Sequence, residues 1–182
     1  MKTVSNLGGS SPRLLGIFLS LWILVLGGLI FLWNLGHVGL VDETEPLFAE
    51  AARQMLVRHD WVTPYFNEVQ RFDKPPLIYW LMAIGYHILG VNEWAARLPS
   101  ALSAIGLMGF VGYTLWHHGA GNDRPWGEKF SAFLGPTILA LCGEMWAWGR
   151  VGVSDMLLNA TMGSTLLCFL DRKSTRLNSS HR

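Results

Sequence analysis

Residues 14–33 read LLGIFLSLWILVLGGLIFLW, twenty consecutive positions without a charge. A mostly apolar stretch of about 20 residues is what a helix needs to cross the hydrocarbon core of a bilayer. A cleaved signal peptide carries a shorter apolar region, roughly 7 to 15 residues, ahead of a small-residue cleavage site. This run is longer and no such site follows it, which predicts a retained span. In lipid, backbone polar groups must be satisfied within the segment, so helices are the expected element. Two further runs, 98–116 and 130–149, have the same character, and a fourth is expected over 151–170. Composition agrees: only 15% of the residues are charged, against about 25% in soluble domains. A formal net charge of +1 supplies no basic field for nucleic acid. Cys142 and Cys168 lie in apolar segments and read as small core residues, not as a disulfide or metal pair.

Lys2 and Arg13 precede the first span, which predicts a cytoplasmic N-terminus and an outer loop over 35–97. Within that loop, helices are expected at about 46–58 and 76–91. The second, LIYWLMAIGYHILGV at 77–91, has fifteen residues. Leu77, Leu81, Ile84 and Ile88 share one helical face and Tyr79 and Tyr86 another, which suits a helix lying in the membrane interface. Two topologies stay open. If 77–91 spans, Asp155 is cytoplasmic; if it is interfacial, Asp155 is on the same side as Asp42. Length favours the second. The polar, aperiodic tail DRKSTRLNSSHR at 171–182 reads as non-native sequence and is set aside. The expected fold class is an all-α polytopic transmembrane protein with interfacial helices on its outer face.

The charged residues that interrupt this pattern carry the functional information. The first group is Asp42–Glu43–Thr44–Glu45–Pro46. Proline and acids are favoured in the first turn of a helix, so Thr44 or Glu45 is expected as a cap. Capping accounts less well for Asp42, which falls before the cap at the membrane edge. Partial desolvation there raises carboxylate basicity, as a general base requires. The second group is Asp73–Lys74–Pro75–Pro76. Pro75 extends Lys74 and Pro76 can open the next helix, so Lys74 falls beside a helix N-terminus suited to anions. A snorkelling anchor lysine is the alternative. Arg97, in NEWAARLPSAL, opens a span and is either an anchor or a second phosphate ligand. Glu144 falls inside the 130–149 run, where an ionisable residue is a functional candidate by default. Asp155, in GRVGVSD, begins the last helix and is either its cap or a site residue.

Taken together, DETEPLFAEAARQML, WVTP at 61–64, FDKPPLIYWL, EWAARLPSAL and GRVGVSDMLL resemble the N-terminal part of the polyprenyl-phosphate-dependent membrane glycosyltransferases of the GT-C fold. The likeness is greatest to aminoarabinose–lipid A transferase and protein O-mannosyltransferase relatives, and covers residues 14–170. Singly each stretch is a weak signal; in this order they are specific. The resemblance implies an enzyme working on the non-cytoplasmic face of a bacterial inner membrane. Its implied partners are a polyprenyl-phosphate sugar donor, membrane lipid and a hydroxyl-bearing acceptor. By matching position, Asp42 is the implied catalytic base, with Glu43 beside it, and Asp155 the second acidic residue of the site. Lys74, with Arg97, is the implied donor-phosphate ligand. Asp73 stands where some relatives carry a Glu implicated in metal binding, so a divalent metal is the one cofactor candidate; its His partner would lie beyond this chain. Glu45–Pro46 replace an Arg-Tyr found in some aminoarabinose-type relatives. The implied chemistry is a single displacement with inversion, to which a base contributes roughly 10²–10⁴-fold. Later helices would close such a site, so the 182-residue chain alone is expected to be inactive. A non-enzymatic transporter segment or assembly subunit is the rival reading; the long acidic and Lys-Pro-Pro outer loop argues against it.

Overall fold

A computed structural model describes residues 12–40, 43–118 and 125–179. Helix α1, Pro12–Gly27, runs directly into a single π-helical turn, Gly28–Leu32. Helix α2 is Thr44–Arg58. A hairpin of two residues per strand follows, β1 Tyr65–Phe66 and β2 Val69–Gln70, antiparallel. Helices α3 (Leu77–Leu89), α4 (Glu93–His118), α5 (Pro125–Leu141), α6 (Gly143–Gly149) and α7 (Asp155–Ser179) complete the chain. The class is all-α, with the small hairpin as its one departure among the described residues.

Two helices are long and apolar enough to cross a membrane, Arg13–Leu32 and Glu93–His117. The expected span at 130–149 is not one straight helix. It breaks at Cys142, where the chain turns by 67° between Lys129–Leu141 and Gly143–Gly149. Cys142 has extended backbone there, ψ 127°, which no helical residue adopts. Glu144 therefore sits in the first turn of α6, exposed, just after the bend. The apolar part of α7, Asp155–Leu170, is shorter than a span needs. The helix continues to Ser179, through most of the tail set aside on composition. Cys142 and Cys168 are both exposed, contrary to the core reading.

The apolar side chains form two clusters. Around α4, Phe31, Leu35, Met108, Met145 and Met156 pack at the heart of the span region. Small residues of α4, Ala101 and Ala104, let its neighbours approach closely. Gly149 is needed there, since a Cβ would sit 2.6 Å from the Phe31 ring. The second cluster joins α2 and α3 to the start of α4 through Phe48, Met55, Tyr79, Met82 and Val153. Helix α3 buries Ile78, Tyr79, Met82 and Tyr86 and exposes Leu77, Ile84 and Ile88. At 13 residues it is about 20 Å long, short of the ~30 Å hydrocarbon core.

Local chemistry shapes the loop between α2 and α3. Helix α2 ends at His59, which takes the left-handed conformation with φ 54°. The Asp60 carboxylate then accepts the Val62 and Thr63 N–H groups at 2.9 and 3.1 Å. These two bonds, Val62 first, hold its pKa below the usual range. Asn67 and Glu68 both have positive φ, the pairing a tight hairpin turn requires. The Arg71 N–H donates to the Pro64 carbonyl at 2.8 Å, and the chain passes through Lys74-Pro75-Pro76 into α3.

Candidate active site

Lys74 and Asp155 are far apart in sequence and line one cavity of about 290 Å³. Pro75, Leu77, Ile78 and Ser154 form other parts of its wall. Lys74 reaches it from the segment before α3, Asp155 from the first turn of α7. Neither side chain forms an ion pair among the described residues. The first-turn N–H groups of α3 have no side-chain cap, so positive helix-end charge accompanies the Lys74 ammonium. A cation and a carboxylate facing one cavity, neither in an ion pair among the described residues, can receive a ligand carrying both an anion and hydroxyls.

The other charged centre is closed. Arg97 is 6% exposed and Glu45 2% exposed. The Arg97 Nε donates to Glu45 at 2.7 Å and Nη2 to the second carboxylate oxygen at 2.8 Å. Its remaining N–H groups reach the carbonyls of Leu35, Val38 and Gly39 at 2.8, 2.6 and 3.0 Å. A guanidinium has five N–H donors, and all are used. Arg97 consequently has no donor left for a phosphate, and the ligand expectation for it is corrected. Glu45 does not cap α2: its side chain makes no cap bond there and instead accepts the Gly152 N–H at 2.6 Å. Arg150 plays a parallel part nearby, donating to the carbonyls of Ile30 and Trp33 at 2.6 and 3.0 Å. These carbonyls lie in and just after the π turn, whose altered bonding leaves acceptors to satisfy.

The remaining expected residues divide. Asp42 lies outside the described residues. Glu43 is exposed at the N-cap position of α2 and makes no side-chain cap bond. Asp73 is engaged by Arg71 through two bonds of 2.8 and 2.7 Å. These bonds hold its carboxyl below the usual range, against an opposing effect of partial burial. With both oxygens on a guanidinium, Asp73 does not fit the expected metal role, and the described residues contain no group of three metal-ligating side chains. The structural roles of Glu45 and Arg97 were missed, although both had a readable signal. Glu45 is in phase with Phe48, Ala49, Ala52 and Met55, the buried stripe of α2. Arg97 is in phase with Ser100, Ala101, Ala104 and Met108, all buried on α4. A charge in phase with each of two apolar stripes is the signature of a buried pair.

The family model described as dolichyl-phosphate-mannose-protein mannosyltransferase matches residues 73–175, more than half of the chain. The chain is 32% identical over 176 residues to undecaprenyl phosphate-alpha-4-amino-4-deoxy-L-arabinose arabinosyl transferase 2 of Pseudomonas fluorescens, covering 94% of this chain and 29% of that protein. The crystal structure of ArnT from Cupriavidus metallidurans in the apo state superposes with a TM-score of 0.70 at 26% identity, over 86% of this chain and 27% of that one. The same protein bound to undecaprenyl phosphate gives 0.68 at 25% identity, with the same coverage. The chain thus spans less than a third of the length of these relatives. Their likeness carries the GT-C fold of an integral membrane protein, and the chain belongs to the dolichyl-phosphate-mannose-protein mannosyltransferase family of membrane glycosyltransferases.

Proposed function

We propose that this chain forms the donor-phosphate end of a glycosyl-transfer site, moving a sugar from a polyprenyl phosphate to a hydroxyl acceptor. The observation that carries the reading is the Lys74–Asp155 cavity, whose two charged side chains make no ion pair among the described residues. Acceptor attack forms a bond from its oxygen to the anomeric carbon while the bond from that carbon to the phosphate oxygen breaks. The hydroxyl proton passes to a carboxylate, for which Asp42 is the choice by matching position, with Glu43 next to it. The leaving phosphate takes the electron pair, and the Lys74 ammonium beside the start of α3 offsets its charge. Asp155 orients the sugar or acceptor hydroxyls across the cavity. One carboxylate acting as base gives inversion at the anomeric carbon. No step requires a metal at Asp73.

The site belongs on the non-cytoplasmic face of the inner membrane. Arg13 opens the first candidate span, which favours a cytoplasmic start. Helix α3 is too short to cross, and its exposed Leu77, Ile84 and Ile88 suit an interfacial position. The shared cavity supports the topology in which Lys74 and Asp155 lie on one side. The test uses the complete gene product in nanodiscs, with undecaprenyl phosphate as probe. Lys74→Ala is expected to weaken binding tenfold or more, and Asp42→Asn to abolish transfer while leaving binding in place. Equal affinity in wild type and Lys74→Ala would remove the phosphate role.

A further inference from the structure

We propose that Glu45 and Arg97 are positioning residues of this site, one buried pair that ties the segment carrying Asp155 to residues 35–39 and the start of α2. The inference rests on the reading of Lys74 and Asp155 as the donor end of a transfer site. Three of the guanidinium's five bonds go to the carbonyls of Leu35, Val38 and Gly39, in the segment that leads up to Asp42. The other two go to Glu45, which follows Asp42 in sequence. Both sequence flanks of Asp42 therefore end on the same side chain. Glu45 also accepts the Gly152 N–H at 2.6 Å, just ahead of Asp155. One turn along α4 from Arg97, the Ser100 hydroxyl donates to the Val153 carbonyl at 3.1 Å. The 150–155 segment thus has little freedom. A Cβ on Gly152 would lie 3.2 Å from both the Glu45 carboxylate and the Ala96 carbonyl.

A buried ion pair is a poor device for stability alone, since a well-packed apolar replacement often does as well. What the planar, bidentate fork supplies is fixed direction. Lys74 is tethered differently: its loop is tied by the Arg71–Asp73 pair and by the Arg71 N–H on Pro64. Breaking the Glu45–Arg97 pair should therefore disturb the segment that carries Asp155 and spare the phosphate contact.

Glu45→Gln and Arg97→Lys in the complete gene product, held in nanodiscs, test this by amide hydrogen exchange and by transfer kinetics. The donor probe is undecaprenyl-phosphate-linked 4-amino-4-deoxy-L-arabinose. Exchange of segments 35–40 and 150–155 is expected to rise together, tenfold or more, with α5 unchanged. Turnover should fall about 10- to 100-fold, the scale of small misplacement of reacting groups, while donor KM stays within about threefold. If either variant fails to fold, Ser100→Ala is the milder break and should loosen 150–155 alone. Unchanged exchange in both segments, equal loosening of α5, or a donor KM that rises with turnover intact would each overturn the proposal. Absence of transfer by the wild type would overturn the functional reading instead, and the exchange pattern would still decide the positioning role.

Discussion

Two charged pairs lie close to the start of α3 and α4, and they are built in opposite ways. Glu45 and Arg97 are buried and spend every donor of the guanidinium on protein atoms. Lys74 and Asp155 face a cavity and spend nothing on each other. Both pairs are an acid and a base at the edge of the same apolar bundle, so residue type does not separate them. The count of satisfied bonds does. A charge with all its partners in the protein holds a fold together, whereas a charge left open toward a cavity is available to a ligand.

The contrast breaks most visibly at the closed pair. Arg97→Ala strands the Glu45 carboxylate and three carbonyls in the interior, with an expected loss of about 3–5 kcal/mol; denaturation in detergent, followed by tryptophan fluorescence, measures it. A loss below about 1 kcal/mol would show that the pair is solvated and the contrast false. The open pair should behave in the reverse sense. Lys74→Ala is expected to leave the unfolding midpoint where it is and to lower donor kcat/KM about 10- to 100-fold, the scale of one charge-assisted hydrogen bond of roughly 1.5–3 kcal/mol.

Gly152→Ala sharpens the boundary between the two regions, because Gly152 touches Glu45 and leads to Asp155. Its methyl group has to displace a carboxylate and a carbonyl, at an expected cost of about 1–3 kcal/mol, and turnover should fall with stability. Unaltered turnover in a destabilised protein would separate the pair from the site. The smallest effect belongs to Asp73→Asn. The Arg71–Asp73 pair is partly exposed, and screening limits its worth to under about 1 kcal/mol. Because the folded pKa of Asp73 is lowered, its contribution is fully present above the unfolded value near 3.9 and disappears as pH falls through the folded value. The stability difference between wild type and Asp73→Asn should therefore be flat from about pH 5 upward and vanish in acid.

Much of the scaffold was readable in advance. The uncharged run at 14–33 and the helix containing 98–116 follow from length and apolarity, and α2 and α3 from proline placement and periodicity. Breaks and continuations were less legible. The run at 130–149 has the length and apolarity of a span, yet it bends at Cys142, where the Gly143–Glu144 that open α6 were read as part of one helix. The 171–182 tail looks foreign by composition, yet α7 runs on into it to Ser179. For the proposed site, local signals marked Lys74 through its prolines, whereas Asp155 stayed between a helix cap and a site residue and was singled out by the family resemblance. The same local signals offered Glu45 as a cap candidate and left Arg97 between an anchor and a phosphate ligand, since a first-turn acid and a membrane-edge arginine have common explanations that need no distant partner.

The sequence by itself determined that this is a helical membrane protein, which segments are apolar enough to enter a bilayer, and which family its ordered motifs belong to. The first two depend on composition and periodicity along one chain, and the third on the likeness of its ordered motifs to a known family. Only the tertiary structure decided which charges are consumed and which are offered. The five bonds of Arg97 come from residues separated from it by 52 to 62 positions, and Gly152 reaches Glu45 across 107. Hydrogen-bond satisfaction is a property of the assembled interior, because a donor is spent or free only once the chain has brought its acceptors within about 3 Å.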